Sequence, residues 1–181
     1  MKMATNLISV EREITGAEVV DVAFVKRFLS ISTDVHNTLL NDLIISAREE
    51  IEQVAGISIV EQTITAEWTE AYGETKLPNP KILSIVSVKN GLSEDLTLNT
   101  GYKVFGQSKK TIIGDFPKGL IVEYKAGYGS NTPNDLKLAI AKHVTENFEI
   151  RTGISIGNQS ANLLPNNWRN TAINYRPTWI F

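Results

Sequence analysis

The sequence predicts an α+β fold. It is read as a helical bundle, with a core helix at about 33–55 and a C-terminal helix at about 134–152, carrying an antiparallel β insertion at about 59–126 and an extended C-terminal tail. Three observations predict it. Apolar residues recur at helical spacing up to Gly56, the period changes to two beyond it, and a helix start returns at Thr132. Helices, then strands, then a helix is the order of a sheet inserted into a helical frame. Residues 1–162 are therefore read as a single domain, with helical parts at 20–56 and 132–153 and a β-rich insertion at 57–128, and 163–181 as an interaction tail.

The core helix rests on Val35, Leu39, Leu40, Leu43, Ile44, Ala47, Ile51 and Val54 within Thr33–Gly56. At 100° per residue they cover about half the circumference, more than a helix lying on one neighbour requires. Thr33 or Asp34 is the expected N-cap, and Gly56 the left-handed residue that ends the helix.

Before that helix, residues 1–17 show no clear period and read as a loose arm. Asp21 can cap a short helix over Val22–Leu29, close enough to the core helix to make a helical hairpin or corner. After Gly56, Val60, Ile64, Ala66 and Trp68 alternate with Glu61, Thr63, Thr65 and Glu67, the pattern of a half-buried strand. Residues 72–80 read as a loop, punctuated by Gly73, Pro78 and Pro80. Ile82–Val88 is a denser strand ending in Asn90-Gly91, a hairpin-turn pair. Strands are expected again near Tyr102–Phe105, Thr111–Ile113 and Leu120–Tyr124. Thr132-Pro133-Asn134-Asp135 then combines a cap, a proline at the first helical position and a capping acid. That last helix carries Leu136, Ile140, Val144 and Phe148 on one face, with His143, Asn147 and Arg151 in the same arc.

Composition bounds the function. The 181 residues are 42% hydrophobic and 21% charged, ordinary for a globular chain. With no cysteine, disulfides, thiolate nucleophiles and Cys-ligated zinc are excluded. The apolar runs are too short to span a bilayer, and the start of the chain lacks the apolar block of a signal peptide, so action inside a cell, or in a particle made there, is expected. Residues 1–150 hold 15 basic and 20 acidic residues, net −5, whereas 151–181 hold three arginines and no acid, net +3. No dense basic patch is present, which argues against strong non-specific DNA binding.

Catalytic constellations are weak. The two histidines, His36 and His143, lack the paired Glu-x-x-His motifs of helical di-metal sites. Gly127-Tyr128-Gly129-Ser130 lacks the lysine and spacing of a phosphate loop and reads as a strand-to-helix turn. No catalytic residue, metal ligand or cofactor is expected.

Three features remain as interaction candidates. Glu49, Glu50 and Glu52 lie near the end of the core helix, where the helix dipole disfavours negative charge. Glu49 and Glu52 point away from the apolar arc, as a solvated acidic face or as a subunit-contact or channel-facing pair. Glu50 falls inside the arc and calls for a cation, with Arg151 the first candidate for an internal ion pair. The second feature is the row of His143, Asn147 and Arg151, either the wet edge of the core or a subunit contact. The third is the tail, where Trp168, Tyr175, Trp179 and Phe181 stand beside Arg169 and Arg176. Aromatics and arginine dominate protein interfaces, so a partner-binding strap is preferred to back-packing.

Taken together, VKRFLSI, LLNDLIISAREEIEQVAG and VEYKAGYGSNTPNDLKLAIAKHVTENFEIR resemble the head–tail connector (adaptor, head-completion) proteins of long-tailed DNA phages, in the longer branch with a β-rich insertion. The likeness covers about Val20–Gly153 and lies in the order and spacing of the segments. Phe148-Glu149-Ile150-Arg151 replaces the family's frequent Tyr-Glu-x-Arg, and five residues follow Tyr175-Arg176. The resemblance implies a structural virion protein at the head–tail junction, assembled in the host cytoplasm. It implies a ring, dodecameric on the portal protein, that extends the DNA channel without specific DNA binding and receives the stopper or tail-completion protein. The tail would then face the portal. Another neck, stopper or DNA-packaging accessory protein, or a small hydrolase built on His143, are the alternatives.

Overall fold

The computed structural model describes residues 6–152 and 167–177, and their side chains except those of 149–152 and 167. The described residues divide into two compact units. One draws on Met1–Ala17 and Val60–Tyr128, the other on Glu18–Ile59 and Gly129–Phe181.

The first unit is an antiparallel sheet of β1 (Asn6–Ile14), β2 (Gln62–Lys76), β3 (Ile82–Asn90), β4 (Lys103–Phe105), β5 (Thr111–Phe116) and β6 (Leu120–Ala126). The strand order is β3-β6-β2-β5-β4, with β1 also paired to β2. β2 organises it. Its first half, from Gln62 to Trp68, runs between β1 and β6, while Ala71 to Lys76 pairs with β5. By exchanging partners partway along, β2 lets the sheet curl, and the inward residues Ile64, Ala66, Trp68, Ile112, Leu120, Val122 and Tyr124 close on one another as the core. The alternation read from Ile64 to Trp68 is the buried face of this strand.

Three expectations are corrected in this unit. Residues 6–14 are a strand and not a loose arm. An edge strand exposed along most of its length offers no hydrophobic alternation to read. β2 also continues through Gly73, placing Thr75 and Leu77 inside, where a loop was expected. The Asn90-Gly91 turn returns the chain only briefly, through Leu96 N–H to Val88 O at 2.8 Å, because β6 is the ladder partner of β3.

The second unit holds α1 (Val22–Leu29), α2 (Asn37–Ala55), α3 (Asn134–Thr152) and α4 (Asn167–Asn174). Asp21 caps α1 as expected, accepting from Phe24 N–H at 2.6 Å. Gly56 ends α2 at φ 64, its N–H bonded to Glu52 O at 2.8 Å. α2 starts later than expected, however. Asp34 is engaged by Lys26 Nζ at 2.6 Å and Asn37 Nδ2 at 3.2 Å, and the cap position is His36, with no side-chain bond. Val35 consequently lies outside the helix, 83% exposed, and leaves the predicted apolar arc.

The breadth of that arc has a physical cause: α2 packs against α1, α3 and α4. Leu40, Ile44, Ala47, Ile51 and Ala55 of α2 are buried, as is the expected α3 row of Leu136, Ile140, Val144 and Phe148. α4 corrects the picture of a wholly extended tail. Its sequence, Asn-Trp-Arg-Asn-Thr-Ala-Ile-Asn, is poor in strong helix formers, so packing of its buried Trp168 and Ala172, one turn apart, must supply what propensity does not.

Candidate interaction site

The polar residues of the second unit converge where α2, α3 and α4 meet. His143, Glu146 and Asn147 share one face of α3 because residues three and four apart are neighbours on a helix. Trp168 enters from α4, 3% exposed, and stacks on His143 with centroids 4.2 Å apart and planes inclined by 20°. Its indole N–H donates to Glu146 Oε2 at 3.0 Å. Glu50 of α2 closes the cluster, with Oε2 at 2.7 Å from His143 Nε2 and Oε1 at 3.5 Å from Arg169. The Arg169 guanidinium also lies 5.3 Å from the Trp168 ring centroid, within cation–π range.

Both imidazole nitrogens of His143 have a partner. Asn147 Nδ2 donates to the His143 backbone carbonyl at 3.1 Å and lies 3.2 Å from His143 Nδ1. The ring is fully employed. Two further ties hold the chain beyond α4, from Tyr175 Oη to Asp135 at 2.8 Å and from Arg176 Nε to Val54 O at 2.7 Å.

A second network lies on the other side of α2. Arg48, only 2% exposed, donates to Glu18 at 3.0 Å and to Glu52 at 3.1 Å. Glu52 in turn accepts the Ile59 N–H, fixing the chain just after the helix ends. Burial works against the charge on Arg48, but the carboxylates of Glu18 and Glu52 outweigh it and hold its pKa above the ordinary arginine value.

These positions bear on the predicted residues. Glu50 does meet cationic and donor groups, His143 and Arg169, while the Arg151 side chain lies outside the described residues. Glu52 is corrected: it is 5% exposed and paired with Arg48, not part of an open acidic face. Glu49 remains exposed, 3.4 Å from Arg48. His143 is buried and occupied within its own chain, whereas Asn147 is exposed. Trp168 is interior packing, Arg169 and Arg176 reach the surface, Tyr175 is half-buried, and Trp179 and Phe181 lie outside the described residues. Arg48 was missed, though a signal existed: on the helical wheel it falls among Ile44, Ile51 and Ala55, four residues before Glu52. Among the described residues, no group of three or more His, Asp or Glu could hold a metal ion, and no helix is long and apolar enough to cross a membrane.

The fold is shared with chains of gene transfer agent particles. The chain superimposes on a chain from the "Neck of empty GTA particle computed with C6 symmetry" with a TM-score of 0.72 and 14% identity, covering 94% of this chain and 97% of that one. A chain of the "Neck of native GTA particle computed with C12 symmetry" gives 0.69 and 14%, covering 99% and 98%. One from the "Virion of native gene transfer agent (GTA) particle" gives 0.68 and 12%, covering 96% and 98%. Comparison with curated proteins finds no match. Residues 18–164 match the sequence model of head completion proteins, and the chain belongs to that family. The matched span leaves out β1 and α4.

Proposed function

We propose that this protein is a structural subunit of the head–tail junction, a connector that forms a ring beneath the portal, extends the DNA channel and offers a platform to the stopper or tail. The match to head completion proteins over residues 18–164 carries this reading. Its charge supports it: a body of net −5 without a basic patch suits a channel through which DNA slides. In this reading the helices act as a bundle, with exposed Glu49 turned toward a neighbour or the channel.

The tail serves as the portal-facing strap. Trp168 anchors it to the bundle, and Arg169, Tyr175 and Arg176 lead to the contact residues Trp179 and Phe181. Deletion of residues 178–181 is expected to preserve folding and abolish portal binding. Binding at full affinity would overturn the strap.

Disruption of the gene, followed by electron microscopy of the lysate, tests the function itself. DNA-filled or leaking heads beside separate, complete tails are expected. Normally joined particles would refute the connector reading.

A further inference from the structure

Four strands of the first unit run in the order β3-β6-β2-β1, so β1 and β3 are its two outer edges. Both edges are bulged. The register slips between Leu7 and Ser9 on β1, and between Ile82 and Ser84 and again between Ile85 and Ser87 on β3. The residues set aside by these slips are Ile8, Leu83 and Val86, exposed by 61, 47 and 51%. A bulge ordinarily guards an edge by turning it away or by placing charge there. Here each bulge pushes an aliphatic side chain into solvent.

The edges are also complementary in charge. Across the outer face one row reads Glu13, Thr63, Lys125, Ser84, and another Ser9, Glu67, Ile121, Lys89. The β1 edge thus carries Glu11 and Glu13 on either side of Arg12, while Lys81 stands just before β3 and Lys125 one strand inside it, with Glu123 beside Ser87 and Lys89 bridged to Asp95. Residues 94–96 cover the end of β3 and Ser108 O accepts the Lys81 and Ile82 N–H, which leaves Leu83–Ser87 open among the described residues.

We propose that the β3 edge of one copy docks against the β1 edge of the next, with Leu83 and Val86 seated beside Leu7 and Ile8. This deepens the ring reading and rests on it. A ring needs two different, complementary faces on each subunit, and these edges are such a pair. Strand number supports the arrangement. With four antiparallel strands, β1 and β3 point in opposite directions, so head-to-tail repetition sets them antiparallel and continues the alternation of the sheet. The bulges interrupt the outer ladder, so side chains make the contact. β1, outside the family match, thereby acquires a role in assembly.

The chain has no cysteine, which makes the test clean. Particles are assembled with Ile8→Cys, Val86→Cys or both, treated with a bifunctional maleimide, and run on a denaturing gel. The double variant is expected to give a ladder of crosslinked species, and each single variant only monomer. Dimers from a single variant would mean like-with-like pairing and overturn the proposal. Joined particles that contain the double variant but give no ladder would overturn it while leaving the connector reading intact. Absence of the protein from joined particles would overturn both. As a second variant, Val86→Asp is expected to leave the thermal stability of the isolated chain unchanged and to reduce joined particles. Undiminished particle yield from it would count against the edge contact.

Discussion

Replacement of Arg48 by alanine is expected to be among the most destabilising single changes in the helical unit. The guanidinium is 2% exposed and bonded to Glu18 and Glu52, the latter 5% exposed. Removing it leaves Glu52 buried without its cation and opens space beside Ile44 and Ile51. Breaking a buried pair from one side costs ~3–5 kcal/mol. For a chain of this length that corresponds to a fall in Tm of about 6–20 °C, at about 2–4 °C per kcal/mol. Glu52→Gln should cost less, because the amide oxygen can still accept the Ile59 N–H. The two changes together should cost less than their sum, by about 1–3 kcal/mol, since they belong to one network. The Arg48 pKa is raised, so with Glu18 and Glu52 ionised its contribution is present below the ordinary arginine value and is lost as pH rises through the higher folded value. Neutral pH therefore suits the assay, which is thermal unfolding followed by circular dichroism. A loss below ~1 kcal/mol, the worth of an exposed pair, would refute the reasoning.

Three further outcomes are expected. Trp168→Ala should release α4 and leave α3 in place, because undocking an eight-residue helix costs less than the ~3–5 kcal/mol of an intact site with a cavity. Hydrogen exchange should show protection lost over 167–174 and retained over 134–148, and protection retained in α4 would refute it. Burial holds the Tyr124 hydroxyl above the ordinary tyrosine range, and that hydroxyl donates to Pro78 O at 2.7 Å. Its contribution is present below the unfolded tyrosine value and is lost as pH rises through the folded one. Tyr124→Phe should cost about 1–2 kcal/mol near neutral pH and flatten the alkaline fall in stability, and an unaltered alkaline limb would contradict it. Gly127→Ala should destabilise the sheet unit by more than ~1 kcal/mol, because at φ +139 the added methyl would strike the Val60 carbonyl. Unchanged denaturant unfolding would show that the turn accommodates a side chain.

Elements whose burial leaves a period were legible in the sequence. α3 was read from Leu136, Ile140, Val144 and Phe148 because one face of that helix is buried from Leu136 to Phe148. β2 was read from Ile64, Ala66 and Trp68 for the same reason, and the cap at Asp21 and the stop at Gly56 are local chemistry that needs no partner. β1 and α4 were not legible. β1 is an edge strand exposed almost throughout, and α4 is helical through a tryptophan docked from a distant part of the chain.

The sequence by itself determined the α+β class, the period of the main elements, the absence of thiol chemistry and the weakly acidic body. Those properties are fixed by residue type and by neighbours a few positions away. Only the tertiary structure decided that Glu52 is an interior partner of Arg48, that His143 is held between Glu50 and Trp168, and that β1 and β3 are opposite edges of one sheet. Each of these depends on groups brought together from far along the chain. Spacing shows which side of a helix or strand a residue occupies, and packing decides what lies against it.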